Sequence, residues 1–204
     1  MWPLELKYVD PAEIDAGPVP TKRINLAWGL MAGFYLVSLA AVVLYGFIPP
    51  LLGLLFIPIG IVLARMVAVD LCYLLLLNIY TLPLTLVGLG FSVFLLARTW
   101  QDALLGIVVG AGIGLIIDVI LHLLRRGEAE LGFGDVKLLA ALGAWVGFAN
   151  LPFALTVAFL ANFIFSLFVP KGSAIPFGFG LGLGIWALTV LEVPFMLSLI
   201  RVMS

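Results

Sequence analysis

Residues 51–70 read LLGLLFIPIGIVLARMVAVD, an apolar run of membrane-spanning length that carries one cation, Arg65, and stops on an acid, Asp70. About 20 apolar residues in a helix suffice to cross a hydrocarbon core of ~30 Å. The stretch therefore predicts a transmembrane span with an ionisable group at its end. The same pattern recurs along the chain: of 204 residues, 64% are hydrophobic and 10% charged, a balance outside the range of soluble domains. Spans are expected near residues 25–47, 51–70, 81–97, 103–124, 136–149, 151–169 and 178–200. The fold class is thus an all-α polytopic bundle of about seven crossings, with residues 1–24 as an N-terminal tail and residues 25–204 as the transmembrane domain. The breaks have local chemistry. Pro49 and Pro50 stop the first helix, Thr81 with Pro83 opens the third, Asp102 caps the fourth, and Asn150 with Pro152 divides the fifth from the sixth.

Basic residues set the orientation. Lys7, Lys22, Arg23, Arg65, Arg125, Arg126, Lys137 and Lys171 fall toward one face, leaving Arg98 and Arg201 on the other, so the N-terminus is expected in the cytoplasm. Residues 70–80, 125–137 and 171–178 then share the cytoplasmic boundary. Irregular backbone survives at membrane depth only when packed in protein or beside water, so a site is expected where these segments meet. The formal net charge of −1 offers no footprint for nucleic acid. A single cysteine, Cys72, excludes an internal disulfide and a multi-cysteine zinc site, and no metal or organic cofactor is expected. Asp118 and His122 share a helix face, where a structural pair is the simpler reading. Gly106, Gly110 and Gly114 form a small-residue stripe suited to close helix contact, as do Gly178 and Gly182.

Asp70 and Asp135 are the candidate catalytic residues. An ionisable side chain at that depth costs about 3 kcal/mol on insertion scales, so each needs a partner or a role. Bland readings exist for each: Asp135 as an ordinary helix N-cap, Asp70 as an interfacial acid paired with Arg65. Gly132 and Gly134, flanking Phe133, give a segment free to adopt positive φ and to admit another backbone, which can carry Asp135 to a partner. Two carboxylates within hydrogen-bond reach share a proton, one acting as base on water while the other donates to a scissile carbonyl. The macrodipole argument gives the negative charge to Asp135, at a helix N-terminus, in preference to Asp70, at a C-terminal end.

The run Leu131-Gly132-Phe133-Gly134-Asp135-Val136-Lys137-Leu138-Leu139-Ala140-Ala141-Leu142-Gly143 resembles the second catalytic motif of the type IV prepilin peptidases, membrane aspartic peptidases of the Gly-x-Gly-Asp group. Asp70, followed by Asn78 and Thr81-Leu82-Pro83-Leu84, is similar to their first motif, and Ile175-Pro176-Phe177-Gly178 to a late one. The resemblance implies an aspartic endopeptidase of the bacterial inner membrane, its active site facing the cytoplasm, in a type IV pilus or type II secretion setting. Its substrate would be a prepilin or pseudopilin, cut between a short basic leader and a hydrophobic helix. The resemblance makes Asp70 and Asp135 catalytic, with Gly132, Phe133, Gly134, Lys137, Asn78, Thr81, Pro83, Pro176, Phe177 and Gly178 in support. Glu128 and Glu130 are candidates to meet a basic leader, against the commoner reading of solvated loop charge. Two departures stand out: Leu77 occupies a position where many members have proline, and residues 1–24 stand where bifunctional members carry a cysteine-rich domain linked to N-methylation. Peptidase activity without methyl transfer is therefore expected. The rival readings are a small proton-coupled transporter and a non-catalytic assembly protein of the same fold.

Overall fold

The computed structural model describes residues 21–46, 48–96, 98–124, 132–168 and 176–203, with the backbone alone for residues 21, 23 and 191–203. Six helices follow one another among the described residues: α1 (Thr21–Leu44), α2 (Pro50–Tyr73), α3 (Asn78–Phe94), α4 (Trp100–Leu124), α5 (Phe133–Ser166) and α6 (Phe177–Met203). Four stretches, Ile24–Leu44, Pro50–Tyr73, Trp100–Leu124 and Phe133–Ser166, are long and apolar enough to cross a membrane. The chain is a polytopic all-α membrane protein. The tail at residues 1–20 and the side chains of Arg125, Arg126, Glu128, Glu130, Lys171 and Arg201 lie outside the described residues.

The expected count of seven is corrected to six, because the predicted fifth and sixth helices are one element. That element, α5, is interrupted at a single residue, Gly147, whose backbone (φ 70, ψ 172) no helix contains. A straight helix would hold Gly134 and Asn162 roughly 40 Å apart at 1.5 Å per residue. Yet Gly134 packs against Leu76, Leu76 packs against Gly178, and Asn162 is hydrogen-bonded to Phe177 and Gly180. Both ends of α5 therefore stand at one end of the bundle, and the chain doubles back at Gly147 into two arms, residues 133–146 and 148–166. Positive φ is tolerated there because glycine has no Cβ.

Other boundaries move for local reasons. Helix α2 runs past Asp70 to Tyr73 and stops where Leu74 turns left-handed (φ 53), its N–H donating to the Asp70 carbonyl at 2.8 Å. Helix α3 opens at Asn78 rather than Thr81, since extended Leu77 already accepts from the N–H groups of Tyr80 and Thr81 at 3.0 and 3.2 Å. Helix α4 is capped by Thr99, whose hydroxyl accepts from the Asp102 N–H at 3.3 Å. Asp102, the expected cap, is free to reach elsewhere: its Oδ1 accepts from the Ala149 N–H at 3.3 Å, at the start of the second arm of α5.

Glycine stripes set the packing. A Cβ on Gly106 or Gly110 would collide with the carbonyl oxygens of Gly143 and Leu139, and one on Gly114 would lie 3.0 Å from Leu139 Cδ1, so α4 lies backbone to backbone on the first arm of α5. Helix α6 lies between α2 and the second arm; a Cβ on Gly182 would sit 2.8 Å from Val67 Cγ2, and one on Gly184 2.9 Å from the Ala154 carbonyl. The centre is aromatic. Trp145 is fully buried, stacks on Phe91 at 5.1 Å and donates its indole N–H to the Leu84 carbonyl at 2.9 Å. Trp186 is buried as well and donates to Ser38 Oγ at 2.9 Å. Between α2 and α3 runs an apolar groove of about 350 Å³, flanked by Pro58 and Pro83 and reaching Trp145.

Candidate active site

Asp70 enters the site from the last turn of α2, where it is 3% exposed. Its carboxylate accepts from the Gly178 backbone N–H, which donates to Oδ2 at 2.8 Å. That donor belongs to the first turn of α6, one of the N–H groups a helix leaves without an internal acceptor. Buried Pro176 has no side-chain acceptor to cap α6, so an acid from α2 does so in its place. Glycine is needed at position 178: a Cβ would stand 2.7 Å from Asp70 Oδ2 and 2.9 Å from Leu76 Cδ2.

Asp135 enters from the start of the first arm of α5. The N-cap is Gly132, and Asp135 donates its N–H to the Gly132 carbonyl at 2.8 Å while its carboxylate turns back toward the Gly132 N–H. Neither Gly132 nor Gly134 has positive φ, which corrects that part of the sequence expectation. What Gly134 provides is close approach, because a Cβ there would lie 2.6 Å from Leu76 Cβ and 2.9 Å from the Leu76 carbonyl oxygen. Leu76 therefore touches the backbone beside each acid, Gly178 on one side and Gly134 on the other. Asp70 thus stands in the last turn of α2 and at the N-terminus of α6, whereas Asp135 stands at the start of α5 alone.

The supporting residues divide. Lys137 donates from Nζ to Asn78 Oδ1 at 2.7 Å and lies 5.7 Å from the centre of the Phe133 ring, tying α5 to the start of α3. Thr81 is buried and turned to its own helix, its hydroxyl 3.4 Å from the Leu77 carbonyl. Pro83 faces the groove between α2 and α3, away from the acids. Phe177 offers its carbonyl to Asn162 at 3.2 Å. Leu131 and Ile175, at the edges of two motifs, lie outside the described residues. Asn162 was missed, although an amide within the apolar run 151–168 is itself a signal that something must satisfy it. Among the described residues no group of three or more His, Cys, Asp or Glu side chains is arranged to hold a metal ion. The arrangement suits proton exchange between two acids at a sheltered helix end.

A family model described as the type IV leader peptidase family matches residues 54–167, a stretch that includes both acids. A prepilin leader peptidase/N-methyltransferase of Stutzerimonas stutzeri is 31% identical over 169 residues, covering 80% of this chain and 55% of that protein. The protein of the same name from Pseudomonas aeruginosa is 35% identical over 130 residues, or 61% of this chain and 44% of the relative. A type 4 prepilin-like proteins leader peptide-processing enzyme of Escherichia coli is 40% identical over 87 residues, 42% of this chain and 32% of the relative. The chain thus spans about half or less of the length of these relatives. No solved structure gives a significant match.

Proposed function

The chain belongs to the type IV leader peptidase family, and from that premise we propose that it is a membrane aspartic endopeptidase that removes the leader of a prepilin or prepilin-like protein. The observation that carries the proposal is the pair of acids brought to the two sides of Leu76, with Asp70 held by the Gly178 N–H. Asp70 and Asp135 share one proton and bind a water between them. The ionised member takes a proton from that water as its oxygen attacks the scissile carbonyl, and the protonated member donates to the carbonyl oxygen. Collapse of the tetrahedral diol then breaks the C–N bond, with the proton taken from water passing to the leaving amine. No covalent intermediate, metal or organic cofactor enters the scheme.

The substrate's hydrophobic helix lies in the bilayer, which brings the bond between helix and leader to the level of the acids. The acids face the cytoplasm of a bacterial cell, at the inner membrane. The proposal covers the peptidase part of the relatives' names. Incubating the purified protein with a prepilin, and reading the new N-terminus by mass spectrometry, tests it. Cleavage that disappears in Asp70→Asn and in Asp135→Asn is expected; ion flux without cleavage would instead select a carrier.

A further inference from the structure

We infer that Asn162 is a positioning residue for Asp70, clamping the first turn of α6 so that the Gly178 N–H stays on the carboxylate. Asn162 projects from the second arm of α5 and is 7% exposed, in surroundings where an unpaired amide is costly. Both ends of its carboxamide are used. Nδ2 donates to the Phe177 carbonyl at 3.2 Å and Oδ1 accepts from the Gly180 N–H at 3.0 Å. This pairing also fixes the amide orientation, because a flipped group would set donor against donor and acceptor against acceptor.

The two bonds bracket Gly178. Phe177 lies before it and Gly180 after it, so the turn cannot rotate or slide against the second arm without breaking one of them. The fit is close: a Cβ on Gly180 would stand 2.6 Å from Asn162 Cγ and Nδ2. Fixed by the clamp, the Gly178 N–H reaches Asp70 Oδ2 at 2.8 Å, and Asp70 is held in one orientation toward Asp135. Helix α5 thereby serves both acids, carrying Asp135 on its first arm and fixing the donor to Asp70 from its second.

The inference rests on the reading of Asp70 as one of the reacting acids, and the test separates the two. In Asn162→Leu, similar in volume and without either bond, kcat for prepilin cleavage is expected to fall about 10- to 100-fold with KM changed less than about 2-fold, the pattern of misplaced chemistry rather than lost binding. Asn162→Gln, with both groups one methylene farther out, is expected between the two. Thr189→Val, which removes a buried hydroxyl bonded within α6 itself, is expected to match the parent protein. Infrared spectra of protein carrying labelled aspartate, with the Asp70 band assigned from Asp70→Asn, are expected to show that band displaced in Asn162→Leu and unmoved in Thr189→Val. Parental kcat, or an unmoved Asp70 band, in a folded Asn162→Leu protein overturns the inference. If that variant does not fold, Asn162→Gln decides by the same two readouts. If the parent protein does not cleave prepilin, the functional reading falls while the infrared band still decides the clamp.

Discussion

Two aspartates near opposite ends of the bundle are held in the same way and surrounded differently. Asp70, from α2, takes the Gly178 N–H at the start of α6, and Asp102, from α4, takes the Ala149 N–H at the start of the second arm of α5. Each is a cap supplied from a neighbouring helix. Beside Asp102 stands a cation, with Arg98 Nη1 at 4.0 Å from Oδ2. Across Leu76 from Asp70 stands a second acid, and Lys137, two residues beyond that acid, is bonded to Asn78. A helix N-terminus thus accounts for where an intramembrane acid sits, and its charged neighbour decides what that acid can do. With a cation it braces a turn, whereas with another acid it can pass a proton.

The widest separation between the two regions should come from removing the acids themselves. Asp70→Asn or Asp135→Asn is expected to lower single-turnover cleavage by at least about 10³- to 10⁴-fold while the protein remains membrane-inserted and folded. Asp102→Asn should cleave at a rate near that of the parent protein; a comparable collapse there would erase the distinction. Next in size is Gly178→Ala, where the new methyl meets the Asp70 carboxylate and is expected to cost about 100-fold in kcat through displacement of roughly an ångström. At the other end, Asp102→Ala should lower stability by about 1–2 kcal/mol as the cap on the second arm is lost, measured by thermal or chemical unfolding in detergent. The smallest effect is expected from Lys137→Met, which removes one side-chain hydrogen bond worth about 1 kcal/mol and should slow cleavage a few-fold. Complete inactivation of Lys137→Met would place that cation in the chemistry and end the contrast with Arg98.

Much of this was legible in the sequence because the membrane simplifies the reading: apolar runs give the helices, and charged residues interrupting them give the site. Asp70, Asp135 and Gly178 lie in segments whose departure from helix-forming apolar composition is visible without coordinates. The reversal at Gly147 was only half legible. Asn150 and Pro152 suggested a break nearby, but Pro152 sits inside a continuing helix, and the φ that turns the chain belongs to a glycine with no distinguishing neighbours. Of the two roles read for Gly132 and Gly134, positive φ and room for another backbone, the structure uses the second at Gly134, where Leu76 arrives from the connection between α2 and α3. Asn162 went unseen for the same reason. Its partners lie beyond a connection whose path the sequence does not encode, and an amide's value depends on what it meets.

The single non-helical residue at Gly147 also bears on how the chain is made. The first arm, at about 21 Å, is shorter than a bilayer core of about 30 Å, so the turn comes to rest below the far surface. No polar loop joins the arms to be drawn across and anchored in water. Two arms joined so closely are expected to enter the bilayer together, as a hairpin. Asp102 of the preceding helix then supplies the acceptor that the Ala149 N–H of the second arm lacks within its own helix, joining the hairpin to α4.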